Sequence, residues 1–317
     1  MTRRASMIAI SAAAILGIAG ICAVAAYSTP PAGFPAGTAV TIEKGATLSQ
    51  AADLLSSKRL IKSRLLFRIY ATLLDGTTGL KSGQYAFDGP QSSLWIAYRM
   101  VHGIEGFPLV KTTIPEGSNV AQIGAILSRS IPGFDAAGFD AQAEKYEGTL
   151  FPDTYFWPVN VQPSQVIADM RAEFEDKIAG VASRIAAFGK SRSDVIAMAS
   201  IVEREAASST DRRIIAGILW NRLSIGMPLQ VDPPFFYLEG KSSSQLTAAD
   251  LATSSPYNLY AHAGLPPTPI DNPGLDAIVD TVTPTKTSYL YYLSGKDGAM
   301  HYAQTLDQHN ANKSKYL

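Results

Sequence analysis

Ala199-Ser200-Ile201-Val202-Glu203-Arg204-Glu205 sets a carboxylate on the flank of an apolar helical stripe. Ser193 or Asp194 supplies an N-cap, and apolar residues recur at Val195, Ile196, Met198, Ala199, Val202 and Ala206, the spacing of a helix packed on a core. At about 100° per residue Glu203 projects between Ala199 and Ile196, inside the apolar arc. Burial there strips water from the carboxyl group and disfavours its charged form, the condition a proton donor needs near neutral pH. Glu203 is the candidate acid. A Glu beside an apolar stripe also serves as a boundary residue paired with a base, and Arg204, Arg212 and Arg213 are at hand. Glu205 lies on the opposite flank, near Met198, and competes for the role; the pattern does not separate the two.

Outward from this helix, 317 residues with 46% hydrophobic content are enough for a substantial core and two or three domains. Lys plus Arg and Asp plus Glu each total 27, so no net field favours nucleic acid or an acidic polymer. One cysteine, Cys22, excludes an intramolecular disulfide and a cysteine metal cluster. His102, His262, His301 and His309 are scattered without ligand spacing, so no metal and no cofactor is expected. Gly189-Lys190-Ser191 and Gly240-Lys241-Ser242 echo a phosphate loop, but Arg184 and Phe235 occupy the earlier glycine positions.

Residues 7–27 are an uncharged run of Ala, Ile, Leu, Val and Gly behind Arg3 and Arg4. About 20 residues suffice to cross roughly 30 Å of hydrocarbon, so the run reads as a transmembrane helix, with 1–6 cytoplasmic and the remainder outside. A cleavable signal ending at Ala23-Val24-Ala25 is the rival, and bulky Ile21 before Cys22 argues against a lipoprotein site. Residues 28–38, rich in Pro, Gly, Ser and Thr, read as an extended tether.

Two segments then resemble each other. Val40 to Leu48 followed by a helical pattern at Ala51 to Leu55 matches Thr112 to Val120 followed by Ile123 to Leu127, each a strand, a glycine turn and a capped helix. This beginning resembles LysM-type modules, which bind the glycan of bacterial cell walls; two ordinary β–α units are the plain alternative. Between them Ser63 to Leu74 and Leu94 to Val101 read as helices and Leu80 to Phe87 as a strand. From Tyr146 the texture turns to aromatic and proline-rich loops. Helices are expected at Gln165–Ile178, near Ala182–Phe188 and at Arg213–Leu223, short strands at Tyr289–Leu293 and His301–Ala303, and a last helix at Leu306–Asn312. The expectation is an α+β chain: a LysM-like and connecting subdomain over 39–145 and a larger mixed catalytic domain over 146–317.

Further motifs accumulate: Glu147-Gly148 with Phe151-Pro152-Asp153-Thr154-Tyr155, Asn221-Arg222-Leu223, Gly226-Met227-Pro228-Leu229-Gln230, Asp232-Pro233, Ser255-Pro256-Tyr257-Asn258 with Tyr260, Gly264-Leu265-Pro266-Pro267, Asn272-Pro273-Gly274, and His309-Asn310. In this order, with the Ala199–Glu205 stretch, they resemble the endolytic murein transglycosylases, the YceG-like family, over nearly the whole chain after the tether. The resemblance implies an inner-membrane enzyme that cuts nascent peptidoglycan strands internally and ends their growth, with glycan strands as substrate and synthases of elongation or division as partners. It makes Glu203 the catalytic acid. Glu203 would protonate the oxygen between N-acetylmuramic acid and N-acetylglucosamine, then take the proton of the muramic C6 hydroxyl as that hydroxyl closes a 1,6-anhydro ring. The substrate supplies its own nucleophile, so no second indispensable acid is expected, unlike ordinary glycoside hydrolysis.

Glu147, Asn221, Gln230, Asp232, Tyr257 and Asn258 are the candidates for binding or orienting the glycan, with loop bracing as the plain alternative for each. Pro234 after Asp-Pro, Gln308 before His309-Asn310, and Thr149 depart from the family's usual residues and bear on substrate preference and on His309. Two rival functions stand beside this one: a non-catalytic wall-binding assembly protein, and a glycoside hydrolase using Glu203, a second carboxylate and water.

Overall fold

The computed structural model describes residues 2–75 and 79–317, with side-chain surroundings for 15–74 and 79–317. The chain divides into two compact units, 1–108 and 109–317. The architecture is α+β.

In the first unit, helix α1 (Thr2–Ser28) leads to strand β1 (Thr38–Ile42), helices α2 (Leu48–Ser57) and α3 (Arg64–Asp75), strand β2 (Gly83–Phe87) and helix α4 (Ser93–His102). Strands β1 and β2 pair antiparallel with Val40 opposite Tyr85. Both side chains enter a core with Leu55, Phe67, Ile96 and Met100. Thr47 and Gln50 cap α2 reciprocally, which fixes where the turn at Gly45 becomes helix.

The transmembrane expectation does not stand: among the described residues no helix is long and apolar enough to cross a membrane. Of the 7–27 run, the side chains of 7–14 lie outside the described residues. The 28–38 stretch is also no free tether: Ser28 Oγ lies 2.5 Å from the Tyr70 hydroxyl, Lys62 Nζ donates to Thr29 Oγ1 at 2.6 Å, and Gly37 N–H reaches Phe87 O at 2.8 Å.

The second unit begins with strand β3 (Leu109–Thr113) and helices α5 (Val120–Ser130) and α6 (Ala136–Ala143). Strand β4 (Thr154–Pro158) follows, then α7 (Pro163–Phe188), α8 (Arg192–Glu205) and α9 (Ser209–Ser224). Short helices α10 (Pro233–Glu239) and α11 (Ala248–Leu251), helix α12 (Leu275–Val282), strands β5 (Tyr291–Ser294) and β6 (Met300–Ala303), and helix α13 (Leu306–Tyr316) complete it.

The texture change expected at Tyr146 therefore falls inside this unit, because β3 pairs antiparallel with β4 and places Lys111 opposite Phe156. The two similar strand-turn-helix segments open two separate units, each strand pairing with its own later partner. The LysM-like expectation is not supported, since the likeness is confined to that local beginning.

Helix α7 runs unbroken where two segments were expected, and Gly189, in the left-handed region at φ 78°, ends it. Ser191, not Ser193 or Asp194, then caps α8 by accepting from the Asp194 N–H. Val195, Ile196 and Ala199 of α8 pack against α7 and α12, while Met198, Ile201 and Val202 pack towards α9. From Val195 to Val202 the helix is buried all round, and its last turn then carries Glu203 and Glu205 into polar surroundings.

Candidate active site

Glu203 and Glu205 are two residues apart, roughly 200° around the helix, so they leave α8 on opposite faces. On the Glu203 face, Oε2 accepts the Gly274 N–H at 2.9 Å. Gly117, at φ +70°, comes so near that a Cβ there would stand 3.4 Å from Glu203 Cγ and 3.7 Å from Asp271 Oδ2. Half-burial raises the Glu203 pKa, the Gly274 N–H opposes the rise, and Glu116 adds to it.

Behind Glu203 lies a buried polar knot. Asn272 donates to Ser118 O at 3.0 Å and to Glu147 Oε1 at 2.8 Å, and accepts the Leu150 N–H at 2.8 Å. The second oxygen of Glu147 accepts the Val120 N–H, the first of α5, at 3.1 Å. Burial pushes the Glu147 carboxyl up to about 7 against these donors. Asp271 is fully buried with no hydrogen-bond partner for either oxygen among the described residues, and burial lifts its pKa well above the usual carboxylate range, with Arg204 opposing and Glu203 and Glu147 reinforcing.

On the Glu205 face opens a cavity of about 740 Å³. Glu205, Arg222, Gln230, Asp232 and Tyr292 line it, with Tyr260, Tyr291, Phe236 and His309 adding ring surface. Burial pushes the Glu205 carboxyl up to about 7; the Tyr292 hydroxyl, which donates to it, and the Arg222 guanidinium pull it down, and Asp232 pushes it up. Arg222 is itself buried and spends its donors on carbonyls, reaching Leu290 O and Leu229 O at 2.6 Å each. Asp232 accepts the Tyr260 hydroxyl at 2.6 Å. Gln230 is held at φ 51°, with its N–H on Leu259 O at 2.9 Å. A half-neutralised carboxyl group among sugar-sized aromatic faces and fixed donors is equipped to give and retrieve a proton.

A model of the YceG-like family matches residues 40–315. The chain belongs to the YceG-like family. Similar curated proteins include an endolytic murein transglycosylase of Bacillus subtilis (strain 168), 30% identical across 88% of this chain and 84% of that protein. Another, of the same description, from Streptococcus pneumoniae serotype 2 (strain D39 / NCTC 7466), is 28% identical across 88% of this chain and 58% of its own longer sequence. Among solved structures, a yceG-like protein of Listeria monocytogenes aligns with a TM-score of 0.58 at 29% identity, covering 86% of this chain and 98% of that one.

In this YceG-like chain the expected site residues divide. Gln230 and Asp232 line the cavity, and Glu203 does not. Glu147 is the buried brace already described. Asn221 Nδ2 donates to Thr287 O at 2.8 Å. Asn258 is fully buried, donating to Thr253 O at 2.8 Å and accepting the Tyr260 N–H at 3.0 Å. The Tyr257 hydroxyl lies 2.8 Å from Thr268 Oγ1. None of these four lines the cavity; each is hydrogen-bonded into the frame, Glu147 on the Glu203 side of α8. Sequence reasoning passed over Arg222 and Tyr292; Arg222 continues the Ile215 and Leu219 stripe of α9, where an inward-facing arginine is itself a signal.

Proposed function

We propose that this chain is a lytic transglycosylase of peptidoglycan, cutting the strand internally between N-acetylmuramic acid and N-acetylglucosamine, with Glu205 as proton donor and acceptor. The carrying observation is that single carboxyl group, poised at about 7 in a cavity large enough for sugar rings. The curated relatives' description as endolytic murein transglycosylases supports the reading.

Neutral Glu205 protonates the bridging oxygen as the glycosidic bond breaks. Ionised, and facing Arg222, it accepts the proton of the muramic C6 hydroxyl, whose oxygen bonds the anomeric carbon and closes the 1,6-anhydro ring. No water is consumed, and the nucleophile is already at high effective concentration. Gln230 and Asp232 orient the sugar. Glu203 holds Gly274 at the start of α12 and so fixes the helix end that presents Glu205. The substrate places the reaction outside the cytoplasm, where cleavage of a growing strand ends its elongation and synthases are the natural partners.

Glu205 and Asp232 in one cavity are also what a two-carboxylate hydrolase uses. Digestion of purified peptidoglycan followed by mass spectrometry decides: anhydro ends support the transglycosylase, hydrated reducing ends the hydrolase, and intact glycan a non-catalytic binder. Glu205→Gln is expected to abolish cleavage while Glu203→Gln retains it. The reverse result moves the proton chemistry to Glu203.

A further inference from the structure

Among the described residues four permanent cations line the cavity, and they are not equally free. Arg222 is committed to backbone carbonyls, as described. Arg204 donates to Gly117 O at 3.1 Å and lies over the Phe236 ring at 4.3 Å. Lys241 pairs with Glu239 at 2.6 Å and with Asp250. The ammonium of Lys313, exposed in the last turn of α13, has no acceptor among the described residues.

One turn earlier on the same face stands His309. Its ring lines the cavity and stacks on Tyr291 at 5.2 Å, while its Nδ1 is enclosed with no partner among the described residues. Burial, with the neighbouring Lys313 and Arg222 charges, lowers its pKa, so the ring is neutral at neutral pH and has one N–H to offer. A free ammonium beside a cavity-lining imidazole, both at one wall, fits an anion of carboxylate geometry. A neutral sugar hydroxyl gives that ammonium far less.

Resting on the glycan-cleaving reading, we propose that Lys313 and His309 bind a carboxylate carried by the muramic acid substituent, making the cavity selective for acid-bearing strands. Two sources offer this group, the lactyl carboxylate of a bare strand and the carboxylates of its peptide stem. Three preparations separate them: peptide-bearing strands, amidase-stripped strands, and strands whose carboxylates are amidated with carbodiimide and ammonia.

Lys313→Ala is expected to raise KM about 3- to 10-fold on one acid-bearing preparation or both, leaving kcat within about twofold. KM on amidated strands stays unchanged, Lys313→Arg recovers the wild-type value, and the effect shrinks at high salt. A rise confined to peptide-bearing strands names the stem as the source; a rise on stripped strands names the lactyl group. An equal change on amidated strands, or no change on any, overturns the proposal. Binding of the same three preparations, fluorescently labelled, is measured in parallel. Should the wild type bind acid-bearing strands and cut none, the catalytic reading falls while the carboxylate site is still judged by the Lys313 comparison.

Discussion

Replacing Tyr292 with phenylalanine removes the hydroxyl that donates to Glu205 and leaves the ring and the β5–β6 pairing, in which Tyr292 lies opposite Tyr302, in place. That hydrogen bond favours the ionised carboxylate and so holds the pKa down at about 7 against burial and Asp232. A hydrogen bond to a charged group contributes about 1.5–3 kcal/mol, and one pKa unit corresponds to about 1.4 kcal/mol. Its loss therefore raises the Glu205 pKa by about one to two units. Cleavage begins with the neutral acid, so wild-type kcat/KM falls as pH rises through about 7, and the variant keeps its rate to about pH 8 or 9. The assay is release of anhydro-ended fragments from defined strands between pH 5 and 10. An alkaline limb that stays in place, or moves to lower pH, with the variant folded by circular dichroism, refutes Glu205 as the group that titrates.

Three further substitutions test the frame. Asp271 holds its proton more tightly folded than unfolded, so it costs stability as pH rises from the unfolded pKa of about 3.9 towards the folded one, about 1.4 kcal/mol per unit; Asp271→Asn should gain on the wild type in urea melts as pH increases, whereas parallel profiles would place Asp271 in water. Ser200→Ala leaves the buried Ile270 N–H without its 3.1 Å acceptor and should cost about 1–3 kcal/mol by denaturant unfolding. Asp280→Ala strands the buried Arg212 guanidinium, now 2.9 Å from Asp280, and frees Ser209; about 3–5 kcal/mol of lost stability is expected, and a loss below 1 kcal/mol would mean the pair is solvated.

Periodicity and capping chemistry made much of this fold legible. Helices at Arg64–Asp75 and Ser93–His102, the strand at Gly83–Phe87 and the terminal β5–β6 pair with α13 lie where alternation and helical spacing put them. The α12 helix was not foreseen, and the two successive helical segments expected over Gln165–Ile178 and near Ala182–Phe188 are one helix, α7. Helix α12 hides behind Asn272-Pro273-Gly274, which reads as a loop, and a helix starting at its last glycine has no side-chain cap to announce it. The 28–38 stretch has a linker's composition, yet hydrogen bonds to Tyr70, Lys62 and Phe87 fasten it.

The amino-acid sequence by itself determined which helix ends in the acids, that the chain is α+β, and, through motifs spread over most of its length, the family. Local rules act over three or four residues, and motif order survives without knowledge of contacts. Only the tertiary structure decided which carboxylate meets the cavity, since Glu203 and Glu205 are equivalent on a helical wheel until α9, β5 and the Gln230–Asp232 loop close around one face and the Ser118–Asn272 bridge occupies the other. Packing likewise gave Asn221 and Glu147 distant hydrogen-bond partners, whereas Asn258 is satisfied within its own loop by Leu251, Thr253 and Tyr260. A polar side chain's role follows from whether a partner more than about 60 residues away satisfies it first, and that separation is set by packing, not by local sequence.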